Sequence, residues 1–141
     1  MELKEKAIAK GVYEFYNHTT KEITRVENVV CQNFFNQVFE AMQNNTSVLY
    51  VTHFVTGDGT TPALKTDTAL ENEIFRGNVT NFTATNTQIK IKTILSTAQS
   101  NFVIKEVGLF FSDGGILSRA NVNIDKNAST QYTVVYTLTL I

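Results

Sequence analysis

The chain has 141 residues, of which 43% are hydrophobic and spread along the whole length, so it can bury the core of one domain. Only 18% of the residues are charged and the formal net charge is −1, without a block of Lys and Arg, which disfavours a nucleic-acid partner. The sequence shows neither a signal-peptide core nor the roughly 18–20-residue apolar run of a membrane span, so we expect no membrane partner.

Uncharged polar residues take the place of charge, with 20 Thr and 14 Asn. A surface of uncharged β-forming residues suits a protein that packs against copies of itself or against partners, whereas a free cytosolic enzyme more often carries more charge. Cys31 is the only cysteine, so an intrachain disulfide is impossible and nothing indicates an oxidising compartment.

The first third of the chain predicts a hairpin followed by a helix. Residues 7–16 and 23–30 are rich in β-branched and aromatic residues and flank a polar turn at 17–20. The period then changes, because hydrophobic residues recur four apart, which predicts an amphipathic helix near residues 31–44 that covers a sheet face. These hydrophobic residues are Val30, Phe34, Val38 and Met42.

The middle of the chain predicts a strand, a loop and a helical turn. Residues 47–56 have strand character, and Gly57-Asp58-Gly59-Thr60-Thr61-Pro62 interrupts them. The spacing Thr68-x-x-Glu71 matches a capping box, in which the two side chains satisfy the first free N–H groups of a helix. We therefore expect a short helical turn near residues 67–73.

The second half reads as strands throughout. Residues 78–84 and 88–96 form a candidate hairpin, and residues 102–111 and 116–124 flank Ser112-Asp113-Gly114-Gly115, the strongest turn signal in the chain. Residues 131–141 alternate apolar residues with Thr, which predicts a strand with one buried face.

This order predicts a mainly β fold, an antiparallel β-sandwich or barrel-like structure with one packed helix. The alternation of helices and strands typical of a doubly wound sheet is absent. Because no linker or internal repeat interrupts the pattern, we expect residues 1–141 to form a single domain.

No residue pattern predicts a catalytic, cofactor-binding or metal-binding site. His18 and His53 are the only histidines and lie far apart in sequence, and no His/Cys/Asp cluster has the spacing of metal ligands. Cys31 lies at the start of the predicted helix, where a buried free cysteine is far more common than a nucleophile. We interpret all three as structural.

The glycines of Gly57-Asp58-Gly59 superficially resemble a phosphate-cradling loop, but the loop has no Lys and no P-loop spacing. A tight turn explains them more simply. A glycosidase-type carboxylate pair or a calcium site at Asp113 or Asp125 stays open but has no supporting pattern.

Two pairs of opposite charges carry structural information. Glu106 shares a strand face with hydrophobic residues, and a two-residue loop at Asp113-Gly114 would place Arg119 opposite Gly108, diagonal to Glu106. We expect a partly buried ion pair that fixes the register of the hairpin. Glu73 and Arg76, three residues apart, form a second candidate pair or join the same network.

Taken in order, several short motifs resemble small virion proteins of tailed bacteriophages, encoded among tail, baseplate and fibre genes. The motifs are Gly57-x-Gly59-Thr60-Thr61, Thr68-x-Leu70-x-x-Glu73-x-x-Arg76, Glu106-x-Gly108-Leu109-Phe110, Gly114-Gly115-x-Leu117-x-Arg119-Ala120 and the Thr-alternating last strand. The resemblance covers most of the chain, and none of its motifs is a catalytic signature. It implies a β-sandwich subunit assembled in a symmetric ring or fibre attachment, without active-site residues.

From the resemblance we expect a non-enzymatic structural protein of the tail, baseplate or neck, located in the virion and assembled in the cytoplasm of the bacterial host. Its partners would be copies of itself and other virion proteins, with no cofactor and no small-molecule substrate. Residues 1–10 and the strand 131–141 are candidates for contacts between subunits. The alternatives are a capsid-surface decoration or head-fibre protein and a module that binds host glycans. A small glycan hydrolase is the enzymatic alternative.

Overall fold

Two five-stranded antiparallel sheets enclose the hydrophobic core of the computed structural model, which describes residues 9–43 and 50–140. Sheet A has the strand order β2-β1-β10-β7-β6, and sheet B has the order β3-β9-β8-β4-β5. The mainly β sandwich expected from the sequence is confirmed. The elements are β1 (Ala9–Asn17), β2 (Ile23–Glu27), β3 (Val29–Val30), α1 (Gln32–Gln43), β4 (Val51–Gly57), β5 (Glu73–Asn78), β6 (Asn81–Ala84), β7 (Gln88–Leu95), β8 (Val103–Phe111), β9 (Ile116–Asp125) and β10 (Tyr132–Leu140).

Sheet A buries only one of its faces. Along β10 the residues alternate between buried and half-buried, as the period of a strand with one covered face requires. The buried side chains enter the core, where Tyr13 of sheet A reaches Ser118 of sheet B with a 2.6 Å hydrogen bond between the two hydroxyl groups. This bond satisfies a phenol that would otherwise lose its water partners without compensation.

Sheet B is buried on both faces in its centre. Val107 and Leu109 of β8 point into the core between the sheets, while Phe110 points to the opposite side. There a second, smaller cluster forms under Leu70, which belongs to the connection between β4 and β5. We call it the outer cluster, and it consists of Cys31, Val55, Leu70, Phe110 and Ile116.

Helix α1 packs beside β9 and the turn that precedes it. Phe34 enters the core, and the Asn33 side chain donates a 3.0 Å hydrogen bond to the Ile116 carbonyl oxygen. The helix predicted near residues 31–44 thus spans Gln32–Gln43, and residue 44 lies outside the described residues. Val38 also packs against the core, whereas Phe39 is 57% and Met42 is 78% exposed.

The short helical turn expected near residues 67–73 is wrong. Residues 67–72 have bends but no helix, and β5 begins at Glu73. The capping box does not form, because the backbone N–H groups of Glu71 and Asn72 donate instead to the buried carboxylate of Glu106. The Glu71 carboxylate accepts from the N–H of Thr61. Hydrogen bonds to a carboxylate on β8 therefore form in place of those of the predicted helical turn.

The hairpin of β8 and β9 differs from the expected two-residue loop. Four residues, Ser112 to Gly115, connect the strands, and Gly114 has a positive φ of 90° that suits glycine. Leu117 is an extra residue in β9, because Leu109 pairs with Ser118 and Phe110 pairs with Ile116. This bulge shifts the register by one residue, so that Arg119 still lies opposite Gly108.

Sheet A also limits how subunits could join. β10 lies in its interior, with both edges paired to β1 and β7, so the last strand cannot extend a sheet of another subunit. Its outward Thr face stays available for contact, and residue 141 lies outside the described residues. Of the N-terminal candidate segment, residues 1–8 also lie outside them.

Two leucines on the same face of β10 test how far the core extends along this strand. Leu138 is buried and Leu140 is 51% exposed. We expect Leu138→Ala to lower the free energy of unfolding by about 2–5 kcal/mol, because it removes buried methyl groups and leaves a cavity. Leu140→Ala is the matched control and should cost less than about 1 kcal/mol. Chemical denaturation of the two variants measures both values, and equal losses would contradict the difference in burial between the two positions.

Candidate functional site

A buried carboxylate with several hydrogen-bond donors, that of Glu106, lies on the side of sheet B away from the core. Glu106 is fully buried, and its two oxygens accept hydrogen bonds from the backbone N–H groups of Gly59, Glu71 and Asn72 at 2.7–2.8 Å. Since an ionised carboxylate is costly to bury, this set of donors is what makes the position tolerable.

Arg119 of β9 completes the charge balance. Its Nη2 lies 3.1 Å from Glu106 Oε1, and its Nε donates to the same oxygen at 3.1 Å. Its Nη1 donates to Asp67 at 2.9 Å, and Nη2 donates to the carbonyl oxygen of Thr61 at 2.8 Å. The side chain is 2% exposed. The guanidinium thus binds carboxylates on two sides and the backbone of the β4–β5 connection on the third.

We call residues 58–72 the covering loop, because they lie over this pair. Leu70 is its buried hydrophobic anchor, whereas Leu64 is 58% exposed. The covering loop is therefore held mainly by hydrogen bonds, and most of those that join it to the rest of the protein are formed with Glu106 or Arg119. The loop closes tightly, because a Cβ atom at Gly59 would lie 2.3 Å from Glu106 Oε2. The glycines that resemble a phosphate-binding loop thus approach an internal carboxylate.

The structure places the second predicted pair separately. Arg76 donates to Glu73 at 2.7 and 3.0 Å at the start of β5, and both side chains are more than a third exposed. The Arg76 guanidinium also lies 4.6 Å from the ring centroid of Phe110 and covers the edge of the outer cluster. Within the described residues, neither member bonds to Glu106 or Arg119.

The sequence did not predict three of the groups that bind Arg119. Asp67 was assigned to a helix start, and the carbonyl groups of Thr61 and Pro62 carry no side-chain signal. Lys126 is a further buried charge, with its ammonium group bonded to the Ser96 carbonyl and the Asn101 side chain. Burial lowers the pKa of Lys126. Its place directly after a β-strand gave no indication of burial.

The histidines and the cysteine lie apart from this cluster. His18 Nε2 is 2.7 Å from the hydroxyl oxygen of Thr133, and His53 Nδ1 is 2.7 Å from that of its neighbour Thr52. Cys31 is a buried free thiol in the outer cluster. Among residues 9–43 and 50–140, no group of three or more His, Cys, Asp or Glu side chains is placed to hold a metal ion. No described helix is long and apolar enough to span a membrane.

The site and the fold together define a β-sandwich protein in which buried charges hold a loop over one sheet. The chain matches the family model for the N-terminal part of phage tail-collar fibre proteins over residues 24–139. Since the match covers more than four fifths of the chain and includes both charged pairs, the chain belongs to this family. The searches of curated proteins and of solved structures found no match.

Membership settles the class of protein. The chain is a tail structural protein of a tailed bacteriophage and a component of the virion. The family is a structural one, and it implies association with other virion proteins. The resemblance noted in the sequence is thereby confirmed.

Removing the charge of Glu106 tests how much the buried ion pair contributes to the stability of the fold. We expect Glu106→Gln to lower the free energy of unfolding by about 3–5 kcal/mol, because Arg119 loses its most buried counter-charge and the amide N–H₂ faces backbone donors. Glu73→Gln breaks an exposed pair and should cost less than about 1 kcal/mol. Urea denaturation of both variants measures the difference, and a Glu106→Gln loss as small as that of the control would refute the role.

The Cys31 thiol gives a second test. Burial, and next the charge of Asp67, raise its pKa to about 12, so the reactive thiolate is scarce near neutral pH. We expect no reaction with a disulfide reagent at about pH 8 in the native protein, and full reaction after unfolding in guanidinium chloride. Cys31→Ser provides the background. Rapid labelling of the native protein would contradict the buried position.

Proposed function

We propose that the chain is a homo-oligomeric subunit of the tail, baseplate or neck region that binds neighbouring virion proteins. The observation that carries this proposal is the family match over residues 24–139, which includes nine of the strands in whole or part and the covering loop. The family's description names the N-terminal part of a tail-collar fibre, which favours a role where a fibre joins the tail.

The uneven covering of the two sheets supports a role in assembly. The outer side of sheet B is closed by the covering loop, whereas the outer face of sheet A has no described segment over it. That face carries several half-buried or exposed apolar side chains, and β-branched side chains of β10 lie between them. The apolar side chains are Val12, Tyr16, Ile23, Ile94 and Val135. Such a surface gains free energy when another protein covers it.

We also propose that residues 1–141 fold as one domain. One core cluster joins both sheets, from Tyr13 in β1 to Leu138 in β10. The first and last described strands, β1 and β10, are neighbours in sheet A. A single cooperative unfolding transition, seen alike by far-UV circular dichroism and by tyrosine fluorescence, is the expected behaviour.

The mass of the purified protein in solution, measured by light scattering across a range of concentrations, tests the oligomeric part of the proposal. We expect a discrete oligomer with a fixed number of copies, because the members of a closed symmetric assembly are all equivalent. A monomer at every concentration would contradict the homo-oligomer.

Partner binding needs a separate measurement. Phage tails that lack this protein should bind the purified chain and sediment with it, whereas isolated heads should not. Binding to heads alone would support capsid decoration, and binding to host glycans without binding to tails would support the glycan-recognition alternative.

A further inference from the structure

We propose that the outer face of sheet A is the surface by which two copies of this chain join, with β1 of one copy facing β7 of the other. The inference rests on the proposed homo-oligomer and adds which surface and which residues form the contact. It follows from three features of this face: its size, its uncharged centre and the distribution of charge over its flanks.

The centre of the face is uncharged. β10 contributes Thr133, Val135, Thr137 and Thr139, all half-buried, and no charged residue. The strands on either side differ in charge. β1 and β2 present the acidic residues Glu14 and Glu27, along with Lys10 and Arg25, and the β7 side is purely basic, with Lys90 and Lys92. None of these charges forms an ion pair within the described residues.

The strand register aligns these side chains in rows across the sheet. Glu14 pairs with Val135, and Val135 pairs with Lys92, so the three lie in one row on one face. In the neighbouring row Tyr16, Thr133 and Ile94 are aligned in the same way. Each row therefore has an uncharged side chain on β10 in its centre and a different residue type on each flank.

A second copy related by a twofold rotation about an axis above and parallel to β10 meets these two rows in a complementary order, whereas in the row of Val12, Thr137 and Lys90 it brings Val12 opposite Lys90 of the second copy. The rotation keeps each row at its height and exchanges the two flanks. Glu14 then faces Lys92 of the second copy, and Tyr16 faces Ile94 of the second copy. Since every contact is formed twice in a twofold pair, these two rows of the face complement themselves.

The size of the face is compatible with such a contact. Five strands of this length give a face on the order of 600 Å² per copy, from the usual spacing of strands and rise per residue. A standard interface buries about 800 Å² per partner. A hollow of about 500 Å³ between β2 and β7 is lined by Glu27, Lys90, Thr137 and Thr139 among others. Its polar walls would keep ordered water between the copies.

Charge exchange between Glu14 and Lys92 tests the inference. In the full chain, we expect Glu14→Lys or Lys92→Glu alone to weaken self-association at least about tenfold, because each places like charges opposite each other. The double variant Glu14→Lys/Lys92→Glu should associate within about threefold of the wild type, because the pair is restored in reverse. Sedimentation equilibrium measures the association constants.

Two matched variants control for the change of net charge. Glu40→Lys lies on the exposed side of α1 and Lys105→Glu lies on sheet B, and both should associate like the wild type. Thermal unfolding by circular dichroism identifies any variant that does not fold. If Glu14→Lys fails beside Arg25, its cross-strand neighbour, Lys92→Glu and the double variant still decide the question.

The outcomes separate the two proposals. An oligomer whose single variants keep the wild-type mass overturns this interface and leaves the homo-oligomer standing. This is also the result expected if a different virion protein covers the face. A double variant that folds but does not regain association overturns the pairing of Glu14 with Lys92. A wild-type protein that is monomeric at every concentration overturns both proposals.

Discussion

The ion pair of Glu106 and Arg119 is the contact on which the arrangement of sheet B depends. Two charges taken out of water are costly, and their mutual attraction alone rarely compensates for the lost hydration. Here the compensation comes from the covering loop, whose backbone N–H groups bind Glu106 and whose carbonyl groups bind Arg119. The loop therefore does not merely lie over the pair, because it supplies the hydrogen bonds that make the pair stable.

The covering loop in turn depends on the ion pair. The covering loop has few apolar anchors, so its conformation is determined mainly by the two side chains beneath it. Because Leu70 belongs to this loop, the pair also helps to hold Leu70 against Phe110 in the outer cluster. Gly108 allows the close approach, since a Cβ atom there would lie 3.1 Å from a methyl carbon of Leu70. A register shift of one residue in β9 would turn Arg119 to the other face of sheet B, away from Glu106. The ion pair therefore favours the observed register of β8 and β9, which is the proposed role of the pair.

The sequence predicted those elements whose signals are local. The alternation in residues 131–141 became β10 because a half-buried strand needs only its own period of two. The helix was also predictable, but the exposure of Phe39 and Met42 was not, because periodicity shows which residues share a face and not whether a neighbour covers it. The covering loop was misread for the same reason. Thr68 and Glu71 satisfy the capping pattern, yet a charge 35 residues away in sequence takes the N–H group of Glu71.

The burial of charges bears on the surface that assembly would use. Glu106, Arg119 and Lys126 are at most 2% exposed, so these three charged side chains are withdrawn from the surface. On a surface with so few charges, each remaining one has a larger share in choosing a partner and its orientation. The uncharged side chains of β10 can then be covered at little cost in desolvation, while Glu14 and Lys92 on the two flanks decide which way round a neighbour fits.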